Sequence, residues 1–225
     1  MKYLILGYIL ICCTGCDKDV LPPVGEGNSY KLITAEATNI TQNTVTLINT
    51  LNSVPGAPAV SSRGVCWDSI PTPTVLKSII TSGAGTGNFP INLAGLQAGK
   101  RYYARGFFKV LDIVYYGNEI TFTTFPATLA MVSISSISGI TRNSASVACS
   151  NSSAGGGIIK EKGVCWSVAA NPTVDDNKIS GGTGTGAYSV ALSGLSPATT
   201  YYVRAYAINE AGIVYSSSLT LRTAT

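Results

Sequence analysis

Between Leu195 and Asn209 apolar and polar positions alternate with a period of two. Tyr201, Val203, Ala205 and Ala207 fall on one face, and Tyr202, Arg204 and Tyr206 on the other, because successive side chains of a strand point to opposite sides. The same alternation recurs along the chain. Val45 and Leu47 alternate with Thr44 and Thr46, and Phe89, Ile91 and Leu93 with Pro90 and Asn92. Further on, Ala145, Val147 and Cys149 form one such row, and Tyr188, Val190 and Leu192 another. Pro90 has no amide hydrogen to give to a ladder, so its strand is predicted at a sheet edge. No segment sustains a 3.6-residue period, which predicts an all-β chain.

The pattern is also written twice. Gly64-Val65-Cys66-Trp67 returns as Gly163-Val164-Cys165-Trp166, and Pro73-Thr74-Val75 as Pro172-Thr173-Val174. Gly85-Thr86-Gly87 returns as Gly184-Thr185-Gly186, and Tyr102-Tyr103 as Tyr201-Tyr202, each pair 99 positions apart. Ile40-Thr41 matches Ile140-Thr141 at an offset of 100, so one loop differs by a residue. A constant offset at so many places implies tandem duplication. In each copy a turn precedes the paired tyrosines, Leu96–Tyr102 in the first and Leu195–Tyr201 in the second. A buried tyrosine just after such a turn is the tyrosine corner of an immunoglobulin-like sandwich.

These motifs resemble the fibronectin type III-like repeats of bacterial surface lipoproteins, over roughly residues 31–225. The resemblance implies two tandem seven-stranded Greek-key sandwiches, residues 31–125 and 129–225, joined by Phe125-Pro126-Ala127-Thr128. It also fits the chain's start. Met1-Lys2, an apolar run from Tyr3 to Cys13, and Thr14-Gly15-Cys16 describe a secretory signal peptide, too short to span a bilayer as a mature helix. Ending in Thr-Gly-Cys, residues 1–16 resemble a bacterial lipobox, which implies cleavage before Cys16 and acylation of that residue. Residues 17–30, with Pro22-Pro23, Gly25 and Gly27, read as a tether. Asp17-Lys18-Asp19 resembles the acidic start that favours surface export. The expected address is therefore the outer membrane or cell surface, reached by Sec-type export and held by lipid.

Composition narrows the chemistry. Charged residues make up only 12% of the chain, against about 25% in an average soluble domain. The net charge is +4, with basic residues scattered except Lys100-Arg101, so no basic stripe for nucleic acid is expected. The absence of histidine removes the commonest general base and metal ligand. Besides Cys16, the mature chain keeps Cys66, Cys149 and Cys165. If Val164 and Trp166 point inward, Cys165 points outward while Cys149 points inward, which argues against a bridge between them. The glycine runs 83–87 and 182–186 precede strands, not helices, and read as hairpin loops instead of phosphate cradles. Asp175-Asp176-Asn177 has Leu76 and Lys77 in the matching place of the first copy and reads as a solvated turn instead of a calcium site. No catalytic residue, cofactor or metal is expected, and the chain is read as a non-enzyme.

Two features are candidates for recognition. The first is the outward row of the strand after the tyrosine corner: Tyr103, Arg105 and Phe107, with Tyr202, Arg204 and Tyr206 in the second copy. Aromatic and arginine side chains are enriched in binding hot spots and stack on sugars. The same row could instead brace the sheet against Gly64 and Gly163. The second is the loop Lys109–Tyr116, where Val110, Leu111 and Ile113 stand in place of the ordinary Asn209-Glu210-Ala211-Gly212. An exposed apolar tip implies contact with a membrane or partner, or else packing onto Val54, Pro55 and Pro58. Asp68-Ser69-Ile70 also resembles a short bacterial O-glycosylation motif. The function expected is a lipid-anchored surface module that binds a glycan or an envelope protein. The alternative is a passive spacer or accessory subunit of an outer-membrane assembly.

Overall fold

The structure, a computed structural model, describes residues 29–225. The segment read as a signal peptide, Cys16 and most of the segment read as a tether lie outside the described residues. The first repeat contributes β1 (Tyr30–Thr38), β2 (Val45–Ser53), β3 (Ser62–Asp68), β4 (Ser78–Thr81), β5 (Gly87–Leu93), β6 (Arg101–Val110) and β7 (Ile113–Thr123). The second contributes β8 (Met131–Ser138), β9 (Ser144–Ser153), β10 (Glu161–Ser167), β11 (Asn177–Gly182), β12 (Gly186–Ser193), β13 (Thr200–Asn209), β14 (Gly212–Tyr215) and β15 (Leu219–Arg222).

Each repeat pairs its strands in two sheets. The orders are β1-β2-β5 with β4-β3-β6-β7, and β12-β9-β8 with β11-β10-β13-β14. Strand β15 also pairs with β13. It continues the line of β14 after an interruption, so the second repeat has eight segments in seven strand positions. Consecutive strands cross between sheets three times per repeat, at β2–β3, β4–β5 and β5–β6 in the first. This is the Greek-key order of a fibronectin type III-like sandwich. Grouped by contacts, the chain falls into two compact units. One comprises residues up to Glu36 with Ile48–Ile91 and Tyr103–Ile120; the other comprises Ala37–Leu47, Asn92–Tyr102 and Thr121–Thr225.

The alternating rows fill the interiors. Val45, Leu47, Phe89, Ile91 and Leu93 are buried, and Pro90, exposed between them, sits on edge strand β5. In the second repeat Ala145, Val147 and Cys149 of β9 join Val190 and Leu192 of β12 in one core with Val164, Tyr201, Val203, Ala205 and Leu221 of the other sheet. Burying one Val or Leu contributes about 1.5–3 kcal/mol. A one-residue slip would turn a whole row to solvent, so these rows set the register. Both tyrosine corners are closed. The Gln97 amide donates to the Tyr102 hydroxyl at 2.9 Å, and the Ser196 amide to the Tyr201 hydroxyl at 2.9 Å. Thr124 and Thr223 then donate to the carbonyls of Gln97 and Ser196, each at 2.6 Å, tying the end of each final strand to its corner.

Candidate functional site

The outward rows of β6 and β13 form the first candidate surface, and the two repeats build it alike. The Arg105 guanidinium lies 4.6 Å from the centre of the Tyr116 ring, and its Nε donates to the Gly117 carbonyl. Arg204 lies 4.6 Å over Tyr215 and donates to the Ser216 carbonyl at 2.9 Å. The hydroxyls of these two tyrosines accept the Val75 and Val174 amides at 3.0 and 3.1 Å. The thiols of Cys66 and Cys165 donate to the Pro73 and Pro172 carbonyls at 3.4 Å. The connection that follows β3 or β10 is thereby folded back over the sheet. Cys66, Phe107 and Tyr116 make a small outer core beneath it, with Val75 and Val114.

This arrangement corrects the picture of an open stripe. Phe107 and Tyr206 are buried, and their rings rest on backbone where a side chain is missing. A Cβ on Gly64 would stand 2.9 Å from Phe107 Cε1 and 2.1 Å from the Ile80 carbonyl oxygen. A Cβ on Gly163 would meet the Tyr206 hydroxyl at 2.8 Å and the Ile179 carbonyl oxygen at 2.2 Å. The Tyr206 hydroxyl also donates to Glu161 Oε1 at 2.5 Å, and burial with that bond pushes its pKa up. Of the two bracing and binding readings, bracing describes Phe107, Tyr206 and both arginines. Tyr103 and Tyr202 stay half-buried at the rim.

The second candidate divides at its tip. Val110 is buried, a correction to its expected exposure: it follows the inward alternation of Phe108 on β6. Leu111 and Asp112 form the two-residue turn, with φ of 47° and 67°, the left-handed pair of a type I′ hairpin. Leu111 is 78% exposed and Ile113 44%. Lys109 Nζ pairs with Asp112 Oδ1 at 3.0 Å beside them. Phe108 stacks on Tyr115, with ring centres 5.1 Å apart, and meets Tyr30 at a tilt of 47°, with ring centres 5.0 Å apart. The Tyr30 hydroxyl donates to the Pro58 carbonyl. Tyr30, Pro58, Leu111 and Ile113 line one shallow groove with these rings. Sequence reasoning named Leu111 and Ile113 but not Tyr30 or Tyr115, whose part follows from cross-strand neighbours that no local pattern displays.

The remaining reactive groups are turned inward. Cys66, Cys149 and Cys165 are free and buried, the first and third outside the main cores and Cys149 inside one, as the alternation requires. Burial pushes their pKa up, to about 12 for Cys66 and about 11 for the other two. Asp176 Oδ2 accepts the Thr173 amide at 2.9 Å and closes its own turn. Among the described residues no three His, Cys, Asp or Glu side chains gather as a metal site. The glycine runs are not hairpins: each carries the chain from one sheet to the other, from β4 to β5 and from β11 to β12.

No protein-family model matches the chain, and no curated protein matches it. Among solved structures it is similar to the FN1–FN3 domains of chicken CNTN1, at 12% identity and a TM-score of 0.38, covering 85% of this chain and 67% of that one. It is also similar to a two-domain fibronectin type III segment of chicken tenascin, at 16% identity and a TM-score of 0.38, covering 88% and 100%. The fold assignment rests on the strand order and the tyrosine corners described above.

Proposed function

We propose that this chain is a non-enzymatic, lipid-anchored cell-surface protein whose work is contact, with its two sandwiches offered to a glycan or another envelope protein. The observation that carries the reading is where the nucleophilic groups sit. All three described thiols are buried and protonated near neutral pH, and Tyr206 is held by Glu161. Tyr103 and Tyr202, half-buried at equivalent places, remain for a partner to stack upon. Truncating a hot-spot aromatic costs about 2 kcal/mol of binding, so replacing both with Ala should abolish saturable retention of the full lipidated protein on a glycan array or an envelope-protein pull-down. Retention unchanged by the double replacement would remove these residues from the contact.

A second reading, the spacer or accessory subunit, is favoured by one specific finding: Phe107, Tyr206 and both arginines are engaged within the chain. A spacer tolerates loss of both rim tyrosines and fails only when one repeat is deleted. Anchoring in either case requires Cys16. Cys16→Ser should release the protein or leave it unprocessed, and unchanged membrane fractionation would refute the lipid.

A further inference from the structure

The tip of the first repeat has features that nothing in its own chain uses. Leu111 is 78% exposed at a left-handed backbone position, which side-chain-bearing residues other than Asn or Asp rarely adopt. Ile113, two residues on, is 44% exposed, and Val54, whose amide donates to the carbonyl of the groove-lining Ser29 at 2.9 Å, is 53% exposed. The equivalent turn of the second repeat is polar and tied down. Asn209 Nδ2 donates to the Thr128 and Ala154 carbonyls at 2.7 and 2.8 Å, and the Glu210 carboxylate accepts the Ile158 amide at 2.7 Å.

The apolar tip also lies where the chain arrives from its N-terminal side. Ser29 and Tyr30, the first described residues, line the same groove as Leu111 and Ile113. Ser29 is 13 residues beyond Cys16, and that length of chain reaches at most about 45 Å. A lipid on Cys16 would therefore leave this end of the sandwich within reach of the bilayer. The side chains suit that boundary: Leu111 and Ile113 flank the Asp112 carboxylate, which pairs with the Lys109 ammonium at 3.0 Å, and Tyr30 and Tyr115 line the groove beside them.

We propose that the Leu111–Ile113 turn is a membrane-contact element that inserts into the headgroup and upper acyl region of the bilayer to which the chain is anchored. The inference rests on lipidation at Cys16. It is tested with the full chain carrying Leu111→Cys, processed in cells, labelled with a nitroxide and reconstituted in phosphatidylethanolamine–phosphatidylglycerol vesicles. Leu76→Cys, labelled likewise, is the reference. The register pairs Ser62 with Lys109 and Asp68 with Tyr103, so the connection holding Leu76 leaves from the end of β3 opposite the tip, about 20 Å away.

The expected result is an oxygen-to-nickel collision ratio at position 111 several-fold above that at position 76. Equal ratios with free access of the nickel chelate at both positions would overturn the contact. So would low collision with both reagents at position 111, which would mean that protein covers the tip. Flotation of the same sample separates the two claims: a protein that fails to float with the vesicles overturns the anchor and this contact together. One that floats with a water-exposed label overturns the contact alone.

Discussion

At the turn after β6 the first repeat holds Leu111 out in solvent, whereas at the turn after β13 the second holds Asn209 and Glu210 against its own neighbouring loop. Elsewhere the copies agree closely. Arg105 over Tyr116 matches Arg204 over Tyr215 to the same 4.6 Å, and Cys66 and Cys165 donate to equivalent prolyl carbonyls at the same 3.4 Å. The lesson is that a feature found in both copies belongs to the architecture, while one found in a single copy needs its own reason. The outer aromatic–arginine rows are of the first kind and the apolar tip is of the second.

A milder version of the same contrast lies inside the sandwiches. Asn49 of β2 faces the Gly106 position, where a Cβ would come within 3.1 Å of Asn49 Oδ1. The second copy has Cys149 and Ala205 at the matching places. Polar Asn with glycine, and thiol with alanine, are two ways of filling the same space. Likewise Arg63 lies over Phe89 and Lys162 over Tyr188, each at 4.7 Å. Only Tyr188 carries a hydroxyl, and it donates to the Gly163 carbonyl at 3.0 Å.

The largest effect is expected at the shared feature. Gly64→Val and Gly163→Val place a side chain within about 2 Å of a carbonyl oxygen, and each should destabilise its repeat by about 3 kcal/mol or more. Urea unfolding followed through Trp67 in a Trp166→Phe background, or through Trp166 in a Trp67→Phe background, reports on the two copies separately. If either variant unfolds like the parent, the close packing of ring on backbone is wrong. The next effect splits the tip: Val110→Ser buries a hydroxyl and empties a methyl site, costing about 2 kcal/mol. Leu111→Ser should change stability by less than about 0.5 kcal/mol. A large loss from the second change would mean that Leu111 packs within the chain after all.

The smallest effect concerns the thiols. Their folded pKa values are raised by burial from 9.0 to about 12 for Cys66 and about 11 for Cys149 and Cys165. The folded state thus holds these protons more tightly than the unfolded one. Their contribution is complete below pH 9 and is lost as pH rises from 9 toward 11–12. The second repeat, with two such thiols, should lose more than the first between pH 9 and 10 in denaturant titrations. Replacing Cys149 with Ala should flatten that slope. Native protein should resist thiol reagents at neutral pH, and denatured protein processed and lipidated at Cys16 as proposed should show three reactive thiols, Cys66, Cys149 and Cys165.

Much of the frame was legible from residues alone. Period-two rows marked the strands, the offset of 99 marked the duplication, and the tyrosine after the turn marked the corner that Gln97 and Ser196 close. Pro90 marked an edge. The parity of Cys149 and Cys165 placed them on opposite faces. Less visible was the cover on the outer face. Alternation says that Phe107 and Tyr206 leave the main core, but it is silent on what meets them there. Their burial depends on the backbone at Gly64 and Gly163 and on a connection pinned through Tyr116 and Tyr215, all distant in sequence.

The sequence by itself determined which side each strand residue takes and that one module occurs twice, because side-chain direction and repetition are local properties of a chain. Only the tertiary structure decided which outward residues stay exposed. Exposure is settled by what other segments bring to the same surface, and at the first repeat's tip they cover Val110 and leave Leu111 uncovered.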